Sequence, residues 1–280
     1  MGYPKIQCCL HTVKAVTDWK YLSIVHTMKT KIILFLNQKG GVGKTTSAIN
    51  LGSSLAELGK KTLLIDVDSQ GNLTSGVGLD PRKAGVYEVL AGTATLDEVI
   101  QQTAVKDLYA IGSNIHMAGL NIELVNQERR EFFIRDAFSP LEGNWEYIIL
   151  DCPPSLGLVT INAMVWANEI IIPMQSEYFA MEGLTLLMHT IGNIKKSLNP
   201  ELEVLGILFT MYSKRTRLAR DVVDDIISYF DDLVFTTMIP RNIRLAEAPS
   251  HGLPINRYDS SSNGAKAYRA LAKEVIKRGK

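Results

Sequence analysis

An apolar run, Ile32 to Leu36, leads directly into Asn37-Gln-Lys-Gly-Gly-Val-Gly-Lys-Thr-Thr46, and a helical pattern follows from Ser47 to Leu58. Strand, glycine loop and helix in that order are the setting of a phosphate-binding loop. Gly40, Gly41 and Gly43 let the backbone through Val42 turn its N–H groups toward a polyphosphate, and the helix start near Thr45 and Thr46 adds unpaired donors and the positive end of a dipole. Lys44 is expected to reach the β- and γ-phosphates, and the Thr45 hydroxyl to hold Mg²⁺. The usual G-x4-G-K-[ST] pattern is incomplete, because Gln38 stands where its first glycine belongs. A second lysine, Lys39, opens the loop instead. A plain glycine turn with solvated lysines is the competing reading, but such turns seldom combine three glycines, a Lys-Thr pair and a strand-to-helix switch.

A second requirement is met far downstream. Trp145-Glu-Tyr-Ile-Ile-Leu-Asp151 reads as an apolar strand that delivers one carboxylate at its end, where enzymes with this loop bind Mg²⁺ or its water. Between the two lies Thr62-Leu-Leu-Ile-Asp-Val-Asp68, another buried-type strand ending in carboxylates. Asp66 and Asp68 are expected to point to opposite faces, leaving Asp68, at the head of the polar turn Ser69-Gln-Gly-Asn72, to approach a γ-phosphate and activate water. The alternative role for Asp68 is to cap a following helix.

Beyond these motifs, helices are expected at Val86 to Leu90, Leu96 to Gln101, Leu120 to Phe138, Leu158 to Trp166, Met181 to Leu198, Arg217 to Tyr229 and Ala265 to Lys277. Strands are expected at Leu108 to Ile111, Glu169 to Pro173, Leu202 to Thr210 and Val234 to Ile239. Gly59 follows the first helix where a left-handed cap belongs. The region Leu73 to Leu141 is read as switch and dimer-facing surface, with a plain loop from Gly76 to Gly85. Repeated βα units imply an α/β fold: a mostly parallel sheet with helices on both faces and ligands at the carboxyl ends of its strands. No linker divides it, so 28–280 is read as one domain. The first 27 residues lack a steady pattern or a signal-peptide core, and Met28 is expected to be the natural start.

Composition sets outer limits. The 280 residues are 46% hydrophobic and 21% charged, as in ordinary globular proteins, and no apolar run reaches the ~18 residues of a membrane span. Three cysteines, Cys8, Cys9 and Cys152, show neither disulfide nor zinc spacing, which favours a reducing cytoplasm. Net charge is +1, yet from Lys214 onward 13 Lys/Arg face 8 Asp/Glu, net +5, against 17 and 21, net −4, before it. A basic C-terminal third points to an anionic partner.

With these residues in view, the chain resembles the ParA/Soj-type partition ATPases, P-loop NTPases of the deviant Walker A class, over nearly all of 28–280. The matches are Lys39 to Thr46, Asp68-Ser-Gln-Gly-Asn72, Asp151-Cys-Pro-Pro-Ser-Leu-Gly157, Glu177-Tyr-Phe-Ala-Met-Glu-Gly183 and Ile239-Pro-Arg-Asn-Ile-Arg-Leu-Ala-Glu-Ala-Pro-Ser250. The resemblance implies that ATP drives formation of a homodimer, that the dimer binds double-stranded DNA without sequence preference, and that a ParB-like partner stimulates hydrolysis and release. It implies that Lys39 reaches the phosphates of the other subunit, that Lys44 and Thr45 hold phosphate and Mg²⁺, and that Asp68 orients water. It also implies that Asp151 supports Mg²⁺, that Pro240 and Asn242 lie near adenine, and that Arg215 and Arg244 contact DNA, placing the protein on the nucleoid. Two departures are Ser69, where relatives commonly have proline, and Leu253, often lysine.

DNA binding has a separate physical argument. Arg215, Arg217 and Arg220 crowd the start of a helix whose far end carries Asp231 and Asp232, the reverse of what the helix dipole favours. Arginines beside free helix N–H groups suit a DNA phosphate, although Arg217 with Asp221 and Arg220 with Asp224 have the spacing of simple surface pairs. Among rivals, a GTPase lacks its Asn-Lys-x-Asp motif, and an iron–sulfur carrier lacks paired cysteines. A MinD-like division-site ATPase needs a membrane-binding terminal helix, which Ala270 to Lys277 does not resemble. A nucleotide-regulated scaffold without turnover would have no use for Asp68.

Overall fold

Apolar stretches with no polar alternation become strands covered on both faces. The computed structural model describes residues 29–213 and 215–279, so the expectations for residues 1–27 and Met28 lie outside the described residues. Its strands are β1 (Lys31–Phe35), β2 (Thr62–Asp66), β3 (Gln101–Gln102), β4 (Leu108–Ile111), β5 (Tyr147–Asp151), β6 (Glu169–Met174) and β7 (Glu203–Phe209). They form one sheet in the order β3-β4-β2-β5-β1-β6-β7, parallel throughout except for β3 against β4. β1 sits between β5 and β6, which sets Phe35 beside Asp151 and brings the loop after β1 next to the ends of β5 and β6.

The helices are α1 (Lys44–Glu57), α2 (Asn72–Gly76), α3 (Val86–Leu90), α4 (Leu96–Val99), α5 (Met117–Glu123), α6 (Phe133–Phe138), α7 (Leu158–Trp166), α8 (Ala180–Ser197), α9 (Arg217–Phe230), α10 (Ile243–Glu247), α11 (Ile255–Tyr258) and α12 (Asn263–Arg278). Alternation along β1 separates two cores. Ile32 and Leu34 pack with α7, α8 and α9, whereas Ile33 and Phe35 pack with α1 and α12. Tyr268 of α12 is fully buried, and its hydroxyl lies 3.0 Å from that of Ser47 in α1.

Three expected elements differ. The helix expected over Leu96 to Gln101 ends at Val99, and Gln101 instead opens β3, pairing with Ala110 of β4. The helix expected over Leu120 to Phe138 is broken into α5 and α6, and Arg129 between them has φ +54°. Asn162 of α7 supplies the competing partner: its amide donates to the Arg130 carbonyl at 2.7 Å, and its Oδ1 accepts from Ile134 N–H at 3.1 Å. The strand expected at Val234 to Ile239 does not form. Phe235 and Ile239 donate to the carbonyls of Ile207 and Phe209, but between them Thr236 and Thr237 donate to the Glu274 carboxylate at 2.8 and 3.0 Å. That carboxylate takes the donors a sheet edge would need. Short elements α2, α10, α11 and β3 carry too little periodicity to have been foreseen.

Candidate functional site

The loop after β1 is shaped by two left-handed glycines, Gly41 at φ +72° and Gly43 at φ +84°. Gly43 is the N-cap of α1 and offers no capping side chain, and no acidic residue occupies the first turn. The first N–H groups of a four-turn helix therefore stay open toward the loop. Neighbouring strands hold the loop in place. Thr210, just past β7, donates its hydroxyl to the Val42 carbonyl at 2.8 Å, and Gln175, just past β6, donates to the Gly41 carbonyl at 3.0 Å. Neither anchor was foreseen from sequence, because each acts through a loop carbonyl.

Under the loop lies a cavity of about 490 Å³ lined by Gly40, Gly41, Gly43, Lys44, Thr45, Thr46 and Asp68 among others. Lys44 is 7% exposed and its ammonium reaches the Lys39 carbonyl at 3.3 Å. Burial lowers its pKa, while Asp151, Cys152 and Asp68 act in the opposite sense. Asp151, the last residue of β5, is wholly buried, and neither carboxylate oxygen has a hydrogen-bond partner. Burial and the neighbouring Asp66 push its pKa well up; the Thr45 hydroxyl lies near enough to oppose this without completing a hydrogen bond. A buried carboxylate without a donor is a costly group that a cation or its bound water satisfies.

Asp66 and Asp68 do not diverge as expected. Residues two apart share a face of a regular strand, and here β2 ends at Asp66 with both carboxylates close enough to Asp151 to act on its charge. They differ in what they bind. Asp66 accepts from the Thr74 amide at 2.9 Å and hydroxyl at 2.7 Å, and from Asp68 N–H at 3.1 Å, so it fastens α2. Burial, moderated by these bonds, raises its pKa to about 6. Asp68 lines the cavity, with Oδ1 accepting from Gln70 N–H at 3.0 Å. It does not cap α2, whose N-cap is left-handed Gly71.

Lys39 stands apart from this group. It is half-exposed, pairs with Glu177, and lines a separate cavity of about 130 Å³ with Asn37 and Phe179. Pro240 and Asn242 line a third cavity, about 280 Å³ and mostly apolar, which adjoins the loop at Gly43 and Thr46. Asn242 also caps α10, its Oδ1 accepting from Leu245 N–H at 3.3 Å. Arg215 and Arg244 are exposed on the surface beyond. Arg244 donates to Glu247 at 2.9 Å and lies 3.7 Å from Asp259, and Arg217 lies 3.7 Å from Asp221. The corresponding Arg220–Asp224 pair is not formed among the described residues.

The chain is similar to known proteins over most of its length. The AAA domain family matches residues 30–204. The chromosome-partitioning ATPase Soj of Treponema pallidum (strain Nichols) is 51% identical over 248 residues, which are 89% of this chain and 98% of that protein. The chromosome partitioning protein ParA of Myxococcus xanthus (strain DK1622) is 47% identical over 250 residues, 89% of this chain and 88% of that one. Among solved structures, cobyrinic acid a,c-diamide synthase from Mycobacterium smegmatis with bound ATP analog and magnesium superposes with a TM-score of 0.80 at 35% identity, covering 90% of this chain and 96% of that chain. Identity at this level, across nearly the full length of the Treponema protein, places the chain in the Soj/ParA family of chromosome-partitioning ATPases.

Proposed function

We propose that the chain hydrolyses ATP with Mg²⁺, that ATP drives it into a homodimer that binds double-stranded DNA without sequence preference, and that hydrolysis stimulated by a ParB-like partner releases it. The observation that carries the nucleotide reading is Asp151: two buried, unpartnered carboxylate oxygens beside Thr45 and Lys44, at the open end of α1. Mg²⁺ binds through one or two protein oxygens together with phosphate and water, so Thr45 and Asp151 fit it. Bound there, it would neutralise charge that develops on the transferred phosphoryl group.

The remaining work falls to the chain's own side chains. Loop N–H groups from Gly40 to Thr46 and the Lys44 ammonium bind the phosphates and stabilise negative charge. Asp68 accepts a hydrogen bond from the attacking water and orients it. Pro240 and Asn242 border the adenine. Lys39, set outside its own subunit's phosphate cavity, leaves Glu177 to reach the phosphates of the partner in the dimer. Arg215 and Arg244 contact DNA phosphates. α12 buries Tyr268, Leu271, Ala272 and Val275 in the core, and among the described residues no helix is long and apolar enough to cross a membrane.

The test is binding of the Asp68→Ala variant to non-specific duplex DNA, with ATP and then ADP, across a salt series. Tight binding only with ATP, weakening steeply as salt rises, is the expected result, since blocked hydrolysis traps the dimer and phosphate contacts release counterions. Equal binding with both nucleotides, or none, overturns the DNA switch.

A further inference from the structure

The apolar cavity beside the phosphate loop includes one residue whose backbone is under strain. Met211 has φ +50°, one of three side-chain-bearing residues with positive φ among those described. Left-handed backbone is unfavourable for a residue with a Cβ and natural to glycine. Both neighbours of Met211 are fixed. Thr210 donates its N–H to the Met174 carbonyl at 2.8 Å and its hydroxyl to the Val42 carbonyl at 2.8 Å. Tyr212 donates its N–H to the Ile239 carbonyl at 2.9 Å and bridges to Pro240. Within three residues the chain is tied to β6, to the phosphate loop and to the segment that carries Pro240. The turn between these anchors falls on Met211.

A glycine would make that turn without strain, so what the strained conformation retains is the side chain. Met211 lines both the apolar cavity of about 280 Å³ and the phosphate cavity of about 490 Å³. It shares the apolar cavity with Pro240 and Asn242, so on the ATP reading it stands where ribose and base would leave the phosphates. A thioether is polarisable, adapts its shape and makes favourable contacts with aromatic rings.

We propose that Met211 is a nucleoside-positioning residue, packing its thioether against the purine and ribose at the junction of the two cavities. Its place in the chain also ties base recognition to the phosphate loop, because the adjacent Thr210 hydroxyl holds Val42. The inference rests on the ATP reading above and adds to it the residue that sets the nucleoside against the phosphates.

The test compares wild type with Met211→Ala, Met211→Gly and Met211→Leu by calorimetric titration with ATP and with inorganic tripolyphosphate, a probe that has no base. Thermal melting is followed in parallel. Loss of the thioether is expected to weaken ATP about tenfold in the Ala and Gly variants and to leave tripolyphosphate affinity unchanged, with Leu restoring most of the loss. Met211→Gly relaxes the backbone and is expected to melt no lower than wild type, which separates lost contact from lost fold. Ala and Gly variants that bind ATP as wild type does overturn the inference, and so does equal weakening of ATP and tripolyphosphate, which would make Met211 a support for the loop alone. Wild-type protein that fails to bind ATP brings down the proposed function itself, an outcome distinct from both.

Discussion

The floor of the phosphate cavity and the arginine surface from Arg215 to Glu247 both hold charge for a proposed ionic partner, under opposite conditions. On the floor, Asp66, Asp68 and Asp151 are buried with one buried cation, Lys44, and the Asp151 carboxylate has no hydrogen bond. On the surface, Arg244 is exposed and already meets Glu247 and Asp259, while Arg217 meets Asp221. Buried charge is expensive until a defined partner satisfies it, so the floor selects its ligand's chemistry and geometry. Exposed charge is cheap, screened by water and salt, and readily exchanged between partners. A nucleotide site suits the first condition and a sequence-independent DNA surface the second.

The sharpest way to break the contrast is to remove the buried cation. Lys44→Ala leaves the carboxylates without their ammonium and a bound polyphosphate without its closest side-chain charge. ATP hydrolysis is expected to fall by about a thousandfold, near 4 kcal/mol in the barrier. Phosphate release under saturating ATP and Mg²⁺ checks it, and a variant within threefold of wild type would show that the floor is not the catalytic centre.

A contact between two glycines joins the segment after α2, which follows Asp68, to the segment after α10, which carries Arg244. Gly78, beyond α2, and Gly252, beyond α10, both have positive φ, and a Cβ on Gly252 would lie 2.8 Å from the Gly78 Cα. Gly252→Ala therefore meets backbone that has no side chain to move aside. It is expected to cost about 2–3 kcal/mol of stability through clash and left-handed strain together. Urea unfolding measures it, and an unchanged midpoint would mean that this glycine contact is loose.

How much of this was legible depended on whether the deciding contact was local. The phosphate loop could be read because glycine, lysine and threonine act there through their own backbone and spacing. The parallel sheet could be read because β1, β2, β5 and β6 are apolar with no polar face. Asp66 and Asp68, two residues apart, share a strand face, and what separates their roles is Thr74, eight residues beyond Asp66. The segment Val234 to Ile239 has a strand's composition, but a carboxylate from α12 claims two of its amides. The break between α5 and α6 likewise depends on Asn162, and no sequence pattern marks Met211 for positive φ. Long-range side-chain bonds to the backbone are what the pattern leaves out.

Glu274 provides a test of that lesson at intermediate size. Burial opposes its ionised form but is outweighed by the amides of Thr236 and Thr237 and by Arg278, so its pKa lies below the ordinary glutamate value. A depressed carboxylate contributes stability that is present above its unfolded pKa, near 4.5, and lost as pH falls through the folded value. Glu274→Ala is expected to cost about 1–2 kcal/mol at pH 7, because two amides lose their acceptor, with the gap to wild type closing in acid. Urea midpoints between pH 7 and pH 3 give the measurement. A gap independent of pH would locate the effect in packing.

The smallest effect lies on the arginine surface, and its sign is what matters. Arg244 cannot make full use of its guanidinium on a DNA phosphate while Glu247 accepts from it at 2.9 Å. Glu247→Gln keeps the shape of that contact and removes its charge, so Arg244 loses an attractive rival and the surface loses a repulsive anion. Affinity of the ATP-bound protein for duplex DNA is expected to rise about two- to threefold, whereas Arg244→Ala lowers it and reduces the salt slope by about one. Both shifts should shrink together as salt is raised, because both act through exposed charge. If Glu247→Gln weakens DNA binding instead, Glu247 positions Arg244 rather than competing for it, and the surface shares more of the floor's built order than its exposure suggests.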